Sequence, residues 1–135
     1  MIHLENLCRH FEVGNQIVRA LDEVDLEINK KEYVSIMGVS GSGKSTLLNI
    51  LGLLDTPTSG SYVLSGVSTS TMNDDEMAHI RSTKIGFIFQ SFHLIPRLTA
   101  AENVEMPMVL SGLNSKERKK KVDNALARVN LTDRS

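Results

Sequence analysis

Alternating apolar and polar residues predict two strands at the start of the chain. Residues 2–13 and 17–28 both alternate, and Gly14-Asn15 between them is typical of a tight turn. The apolar positions of the second strand fall largely on every other residue: Val18, Ala20, Val24, Leu26 and Ile28. The pattern therefore predicts an antiparallel β layer.

Strands alternate with helices over the next part of the chain, which favours an α/β fold with parallel pairing. Residues 33–37 and 85–90 are short apolar runs typical of buried parallel strands, and residues 61–65 predict a further strand. A helix is predicted over 44–54, and the Pro- and Gly-containing stretch 56–60 ends it.

Capping residues predict three more helices. Asn73 with Glu76, and Thr99 with Glu102, have the spacing of a capping box. Pro107 is expected to kink the second of these helices. Ser115 is predicted to cap a last helix, whose apolar stripe is Val122, Ala125, Leu126 and Val129.

The loop between residues 37 and 46 contains the candidate binding motif of the chain. Gly38-Val39-Ser40-Gly41-Ser42-Gly43-Lys44-Ser45 matches the phosphate-loop pattern G-x-x-x-x-G-K-[ST] in full. The glycines let backbone N–H groups converge on phosphate oxygens, and the following helix directs its positive end there. Lys44 would reach the β- and γ-phosphates, and the Ser45 hydroxyl would ligate Mg²⁺. The alternative is a flexible serine-glycine turn that binds nothing.

Composition and charge limit the kinds of ligand and partner that the chain is expected to bind. The 135 residues carry a formal net charge of -1, which gives no electrostatic case for nucleic acid or anionic lipid. The single cysteine, Cys8, forms no internal disulfide, so a cytosolic setting is expected. No apolar run approaches the roughly 18 residues that span a bilayer, so a membrane role would require a partner. The four histidines share no metal-ligand spacing, and no zinc site is expected from them.

Three segments resemble the nucleotide-binding subunit of an ABC transporter: GVSGSGKSTLLN, FIFQSFHLIPRLTAAENV, and FEVG followed by VRALDEVDLEI. More narrowly, they are similar to the subgroup that drives lipoprotein release and macrolide-type export. The resemblance runs over nearly all of the chain but covers only a little over half of that family's domain.

The resemblance implies an α/β P-loop NTPase core with parallel strands and an N-terminal antiparallel layer. Residues 1–135 would be a single partial nucleotide-binding domain, truncated before the helical-subdomain signature and the second half of the sheet. Residues 1–66 and 84–90 would supply the core strands and the P-loop helix. Residues 91–135 would begin the helical region.

The same resemblance implies that the site binds ATP and Mg²⁺. Phe11 would stack on adenine, with a core-facing phenylalanine as the alternative. Gln90 would sense the γ-phosphate through Mg²⁺ or its water, with a solvated strand-end glutamine as the alternative. Val39 departs from the family's usual proline, which leaves the loop slightly softer. The expected metal-binding residues are Ser45 and Gln90. The expected nucleotide-binding residues are Phe11, Gly38, Val39, Ser40, Gly41, Ser42, Gly43, Lys44, Ser45, Thr46 and Gln90.

Two protein partners are implied by the family. Residues 91–104 would dock on a membrane-spanning subunit through exposed Phe92, Leu94, Ile95 and Leu98, unless these side chains tuck under a helix. A second ATP-binding subunit would complete a homodimer. The protein would then be cytoplasmic and peripheral on the inner face of the cell membrane.

Groups that the family needs for hydrolysis are missing from the sequence, although Lys44 and Gln90 would contribute. Leu53-Leu54-Asp55 imitates an acidic strand end but is predicted to lie on the P-loop helix. Leu-Ser-Gly at 64–66 and 110–112 imitates the LSGGQ signature without its Gly-Gln. We expect the parent protein to be an ATPase, and this chain alone to bind Mg²⁺–ATP without useful turnover. Another P-loop NTPase, or a non-catalytic nucleotide-binding module, is the alternative.

Overall fold

The computed structural model describes residues 1–131, which fall into two compact units, Met1–Phe87 and the residues from Ile88 onward. The elements, in chain order, are β1 (Ile2–Val13), β2 (Gln16–Ile28), α1 (Lys44–Leu51), β3 (Ser59–Leu64), β4 (Val67–Ser68), a short 3-10 helix (Thr69–Thr71), α2 (Asp74–Lys84), α3 (Ala100–Leu110) and α4 (Ser115–Arg128).

The first unit is built on a four-stranded sheet in the order β2-β1-β3-β4. All of its pairings are antiparallel, as the alternating pattern predicts for β1 and β2. Gly14 has a φ of 60° in the two-residue turn, and Val13 pairs with Gln16 across it. A two-residue hairpin turn needs a positive φ, which glycine adopts at little cost in energy. Gly14 therefore suits the turn that the strand register requires.

The core of this unit lies between one face of the sheet and α1. Leu47 and Ile50 are the buried side chains of α1, so the helix presents one apolar stripe to the strands. The buried cluster consists of Leu4, Leu7, Leu21, Leu47, Ile50, Leu53 and Tyr62. Packing α1 on the sheet fixes the position of the loop that precedes the helix.

Two predicted strands are wrong. Residues 33–37 and 85–90 belong to no strand in the described part of the chain. The Tyr33 side chain is 96% exposed and Ile88 is fully exposed, whereas a parallel strand is buried on both faces. A strand needs a hydrogen-bonded neighbour, and every pairing among residues 1–131 joins two of β1 to β4.

Helix α1 is shorter than predicted, because it ends at Leu51 with Gly52 as its C-cap. Leu53-Leu54-Asp55 therefore lies beyond the helix, which corrects the expected position on it. Asp55 accepts two bonds from Arg9 of β1, from Nε at 2.8 Å and from Nη2 at 2.8 Å. This carboxylate is held as an ion-pair partner.

The predicted capping boxes of α2 and α3 are both present. Helix α3 continues past Pro107 to Leu110. The cap of α4 is Asn114, whose side chain accepts from the Glu117 amide at 3.0 Å, and the predicted cap Ser115 is the first helical residue. In the second unit α4 buries Val122 and Leu126, while Val129 is exposed. Over the residues that the structure describes, no helix combines the length and the apolar character needed to cross a bilayer.

Candidate phosphate-binding site

The glycine-rich loop leads directly into α1, whose first turn lacks a side-chain cap. Its N-cap, Gly43, has a φ of 87°, and no side chain of that residue can accept from the helix. The first amide N–H groups of a helix have no partner within the helix. The N-terminus of α1 is therefore a positive, donor-rich end that favours an anion.

Gly43 is held against β2 so closely that a larger residue has no room. A Cβ atom there would lie 2.3 Å from the Ala20 carbonyl oxygen and 3.1 Å from Leu21 Cδ2. Ala20 is the extra residue of a β-bulge, because Arg9 pairs with Leu21 while His10 pairs with Arg19. The second glycine of the motif thus fixes the distance between loop and sheet.

Lys44 folds its ammonium group into the curve of the loop. Nζ donates to the carbonyl oxygens of Gly38 at 2.9 Å and Val39 at 2.6 Å, and to Ser42 Oγ at 3.3 Å. The Ser42 amide donates to the Val39 carbonyl at 3.3 Å and closes the turn. The positive charge therefore lies where the loop and the start of α1 meet.

A cavity of about 210 Å³ lies between this loop and β2. Its lining residues are Val18, Arg19, Ala20, Gly41, Ser42, Gly43, Lys44, Ser45 and Thr46. Lys44 and Arg19 bring two cations to the positive end of α1, and the Arg19 guanidinium is also paired with Asp22 at 3.3 Å. The volume is below the roughly 300 Å³ at which pockets for drug-sized ligands begin, so the space suits a phosphate tail rather than a whole nucleotide.

A larger cavity of the first unit is less suited to phosphate. It has a volume of about 480 Å³ and lies against β1 and β2. Its lining includes three carboxylates, Glu5, Asp25 and Glu27. These charges repel phosphate, so we place the site at the glycine-rich loop on chemistry rather than on volume.

Phe11 lies on β1 directly opposite Val18, one of the residues that line the cavity. Paired residues of neighbouring strands project from the same face of a sheet, so Phe11 neighbours Val18, although Phe11 is not one of the residues that line the cavity. Phe11 is 36% exposed and is not among the buried core residues, and its role at adenine stays a prediction. The Arg9 guanidinium carbon lies 4.5 Å from the ring centroid.

Gln90 belongs to the second unit, where its side chain is exposed. Its role at the γ-phosphate stays a prediction. In the same unit Phe92, Leu94 and Ile95 are exposed, as predicted for a docking surface, and Leu98 is half-buried. These three side chains are therefore not buried beneath a helix, which was the alternative prediction.

Comparison with known proteins identifies the family. The family described as ABC transporter matches residues 21–135, which is most of the chain. This chain belongs to the ABC transporter family. The fold of the ABC chain agrees with that of a solved structure titled as the post-hydrolysis dimer of the ATP-binding cassette MJ0796 bound to ADP and Pi. The TM-score is 0.84 at 46% identity, over 94% of this chain and 56% of that one.

Curated relatives point to the same family. An uncharacterized ABC transporter ATP-binding protein, YknY of Bacillus subtilis, is 50% identical over 99% of this chain and 58% of its own length. The macrolide export ATP-binding/permease protein MacB of Brucella abortus is 49% identical over 99% of this chain and 21% of its own length. The ABC chain thus spans a little over half of YknY. The predicted family and its lipoprotein-release and macrolide-export subgroup are confirmed. The predicted fold class, part of an ABC cassette with an N-terminal antiparallel layer, is also confirmed, although the described residues contain no parallel strands.

Sequence reasoning missed two groups at the sites of this ABC chain. Arg19 carries no motif signal, because only the β1–β2 register brings β2 to the loop. Asn103 of α3 donates from Nδ2 to the carbonyls of Ile95, Leu98 and Thr99 at 3.3, 3.1 and 2.9 Å. Asn103 thereby holds the middle of segment 91–104 in place. Its position four residues after Thr99 was the available signal.

Proposed function

We propose that this chain binds Mg²⁺–ATP, with the phosphate tail in the 210 Å³ cavity at the glycine-rich loop. The observation that carries the proposal is the convergence of Lys44, Arg19 and the uncapped start of α1 on that cavity. The three bonds that Lys44 makes to its own loop are to neutral acceptors. Anionic phosphate oxygens are stronger acceptors and would replace them.

The base would lie outside this cavity, beside Phe11. The pairing of Phe11 with Val18 supports this position, because it brings a partly exposed ring next to a residue that lines the cavity. Arg9 stacks on the ring and restricts its motion. A ring held in this way is suited to stacking on a flat adenine.

The residues present fit a magnesium ion held together with the nucleotide. The Ser45 hydroxyl is exposed at the second residue of α1, next to Lys44 and on the cavity wall. Magnesium at such sites takes one or two protein oxygens and completes its shell with phosphates and water. When bound, Mg²⁺ would neutralise phosphate charge. A magnesium contact from Gln90 is supported by the family resemblance alone.

In the whole protein this chain would be part of the motor subunit of an export transporter, in which ATP hydrolysis drives transport by membrane subunits. Two relatives support this role. MacB is named a macrolide export ATP-binding/permease protein, and the solved structure of MJ0796 is a dimer of ATP-binding cassettes bound to ADP and Pi. Segment 91–104 would dock on the membrane subunit, through Phe92 and Leu94 above all. A second ATP-binding subunit would complete the dimer. The protein would lie on the cytoplasmic face of the membrane.

Titration calorimetry with Mg²⁺–ATP tests the binding site. Lys44→Ala should raise the Kd about 10- to 100-fold, because a charged hydrogen bond is lost. Lys30→Ala removes an exposed lysine from a turn and should leave the Kd unchanged. Gly43→Ala should weaken binding about 10-fold, because its Cβ displaces the loop from Ala20. Gly66→Ala shares the positive φ but has open space, so it is the matched control.

Phosphate release measured on the same samples tests the second part of the proposal. This chain alone should bind ATP and release no phosphate above background, since the water-orienting groups are absent. Equal affinities of wild type and Lys44→Ala would overturn the assignment of the loop. Steady turnover by the wild-type chain would overturn the proposal that it is inactive alone.

A further inference from the structure

A second cluster of reactive side chains lies on the β1–β2 hairpin, next to two of the proposed nucleotide contacts: Asp22 is bonded to Arg19, and His10 precedes Phe11. Cys8 and His10 are two residues apart on β1, and Asp22 lies on β2. One ligand atom from each, the Cys8 sulfur, a His10 ring nitrogen and an Asp22 carboxylate oxygen, lies within 4.8 Å of the others. We propose that these three residues bind a Zn²⁺-class transition-metal ion.

A β-bulge explains how Asp22 reaches Cys8. Leu7 pairs with Val24 and Arg9 with Leu21, so Asp22 and Glu23 together face the single residue Cys8. Asp22 Oδ1 is 4.0 Å from Cys8 Sγ and 3.6 Å from His10 Nε2. The third residue therefore comes from a register shift, which histidine spacing alone does not reveal.

The imidazole supplies an independent observation. His10 Nε2 is a buried atom with no hydrogen-bond partner among the described residues, although it faces the Asp22 carboxylate. Buried polar atoms are rarely left without a partner, because desolvation then goes uncompensated. An ion bonded to Nε2 would satisfy this atom.

The other two ligands are already positioned by their neighbours. The Glu23 amide donates to Cys8 Sγ at 3.2 Å, a contact that suits a thiolate. Arg19 Nη1 holds Asp22 Oδ2 at 3.3 Å, so Oδ1 is left for the ion. Such supporting contacts orient metal ligands in known sites.

The donor set selects the metal class. Thiolate, imidazole and carboxylate together suit Zn²⁺, whereas Mg²⁺ and Ca²⁺ prefer oxygen alone. Tetrahedral Zn²⁺ separates its ligand atoms by roughly 3.3 to 3.5 Å, given its usual bond lengths. Asp22 Oδ1 lies 3.6 Å from His10 Nε2 and 4.0 Å from Cys8 Sγ, and all three ligand atoms lie within 4.8 Å of one another, so side-chain rotations would have to bring the ligands together around the ion. Three protein ligands leave one position for water, and the Cys8 thiol proton would pass to solvent.

Titration of nucleotide-free, untagged protein with Zn²⁺ and with Co²⁺ tests the site. We expect one ion per chain, a thiolate-to-Co²⁺ charge-transfer band, and proton release seen as a buffer-dependent heat. Cys8→Ser should abolish the band. His10→Gln and Asp22→Asn should each weaken Zn²⁺ binding by more than about 100-fold, beyond the roughly 10- to 100-fold that the loss of a supporting contact costs. His79→Gln and Asp74→Asn change a histidine and an aspartate of α2 and should have no effect.

The Asp22→Asn variant keeps the test decisive if Cys8→Ser fails to fold, because the Asp22 side chain is half-exposed. Circular dichroism establishes that each variant is folded. A folded wild-type chain that takes up no Zn²⁺ would overturn the proposal. So would Zn²⁺ binding that His10→Gln and Asp22→Asn both leave unchanged.

Discussion

At the scale of single residues, Tyr62 shows how burial changes an ionisable group. Its side chain is 1% exposed, pairs with Leu4 across β1 and β3, and donates its hydroxyl to the Leu51 carbonyl at 2.8 Å. Burial raises the pKa of Tyr62 from 10.0 to about 12. The neutral phenol thus links β3 to the last turn of α1.

The raised pKa of Tyr62 predicts a loss of stability in alkaline solution. The folded-state pKa exceeds the unfolded one, so the stabilisation is complete below pH 10 and is lost as the pH rises through about 12. The full difference corresponds to about 3 kcal/mol. Urea denaturation of Tyr62→Phe at several pH values should show a shallower decline across this window.

Tyr33→Phe is the matched control, because the Tyr33 side chain is 96% exposed. Its stability should follow that of the wild type at every pH. If Tyr62→Phe and Tyr33→Phe lost stability in parallel between pH 10 and 12, the alkaline loss would have another origin.

The predicted helix caps are confirmed, because their signal is local: Asn73 and Thr99 each need only a partner three residues later. The phosphate-loop pattern is equally local, within eight consecutive residues, and its role in binding stays a prediction. Arg19, which lines the same cavity as Lys44, could not be predicted from the sequence, because its position depends on a β-bulge between β1 and β2. A register shift leaves no mark on hydrophobic periodicity.

At the scale of elements, Arg9 joins β1 to the segment that follows α1. Its guanidinium contacts both oxygens of the Asp55 carboxylate at 2.8 Å, by a hydrogen bond from Nε and an ion-pair contact from Nη2, and it stacks on Phe11. Both charged side chains are only 24% exposed, so solvent screens the pair less than a surface pair. The planar fork and the stacking are both specific to arginine.

Arg9→Lys should therefore destabilise the fold by about 1–2 kcal/mol, although the charge is kept. The measurement is the free energy of unfolding in urea. Arg19→Lys serves as the control, since Arg19 makes a single bond to Asp22 at 3.3 Å and its side chain is 66% exposed. Arg19→Lys should lower the free energy of unfolding by less than about 0.5 kcal/mol. Equal losses in the two variants would show that the bidentate geometry contributes nothing.

Helices and hairpins were predictable from the sequence, and the supposed parallel strands were not. Helices α2 and α3 begin at their capping boxes, and the β1–β2 hairpin turns at Gly14. Each of these elements is specified by neighbours in the sequence. A parallel strand pairs with a segment far away, so the apolar run 33–37 alone cannot specify it.

At the scale of the whole molecule, sequence motifs were enough to predict the family. Which segments are most stable depends instead on how the strands pair with one another. The structure matches an ABC cassette with a TM-score of 0.84 over 94% of this chain. Within the first unit β1 is central, because it pairs with β2 on one side and β3 on the other. Stability is therefore unevenly distributed along the chain.

Hydrogen exchange measures this distribution directly. Amides of β1 around Leu4 should exchange slowest, because Leu4 is paired with both β2 and β3 and is 1% exposed. Amides of residues 33–37 should exchange orders of magnitude faster, since the segment lies in no strand and Met37 is 86% exposed. Residues 24–28 of β2, at the edge of the sheet, are the internal reference between these limits. Protection at 33–37 equal to that of β1 would mean that the segment is a paired strand, as its apolar pattern predicts.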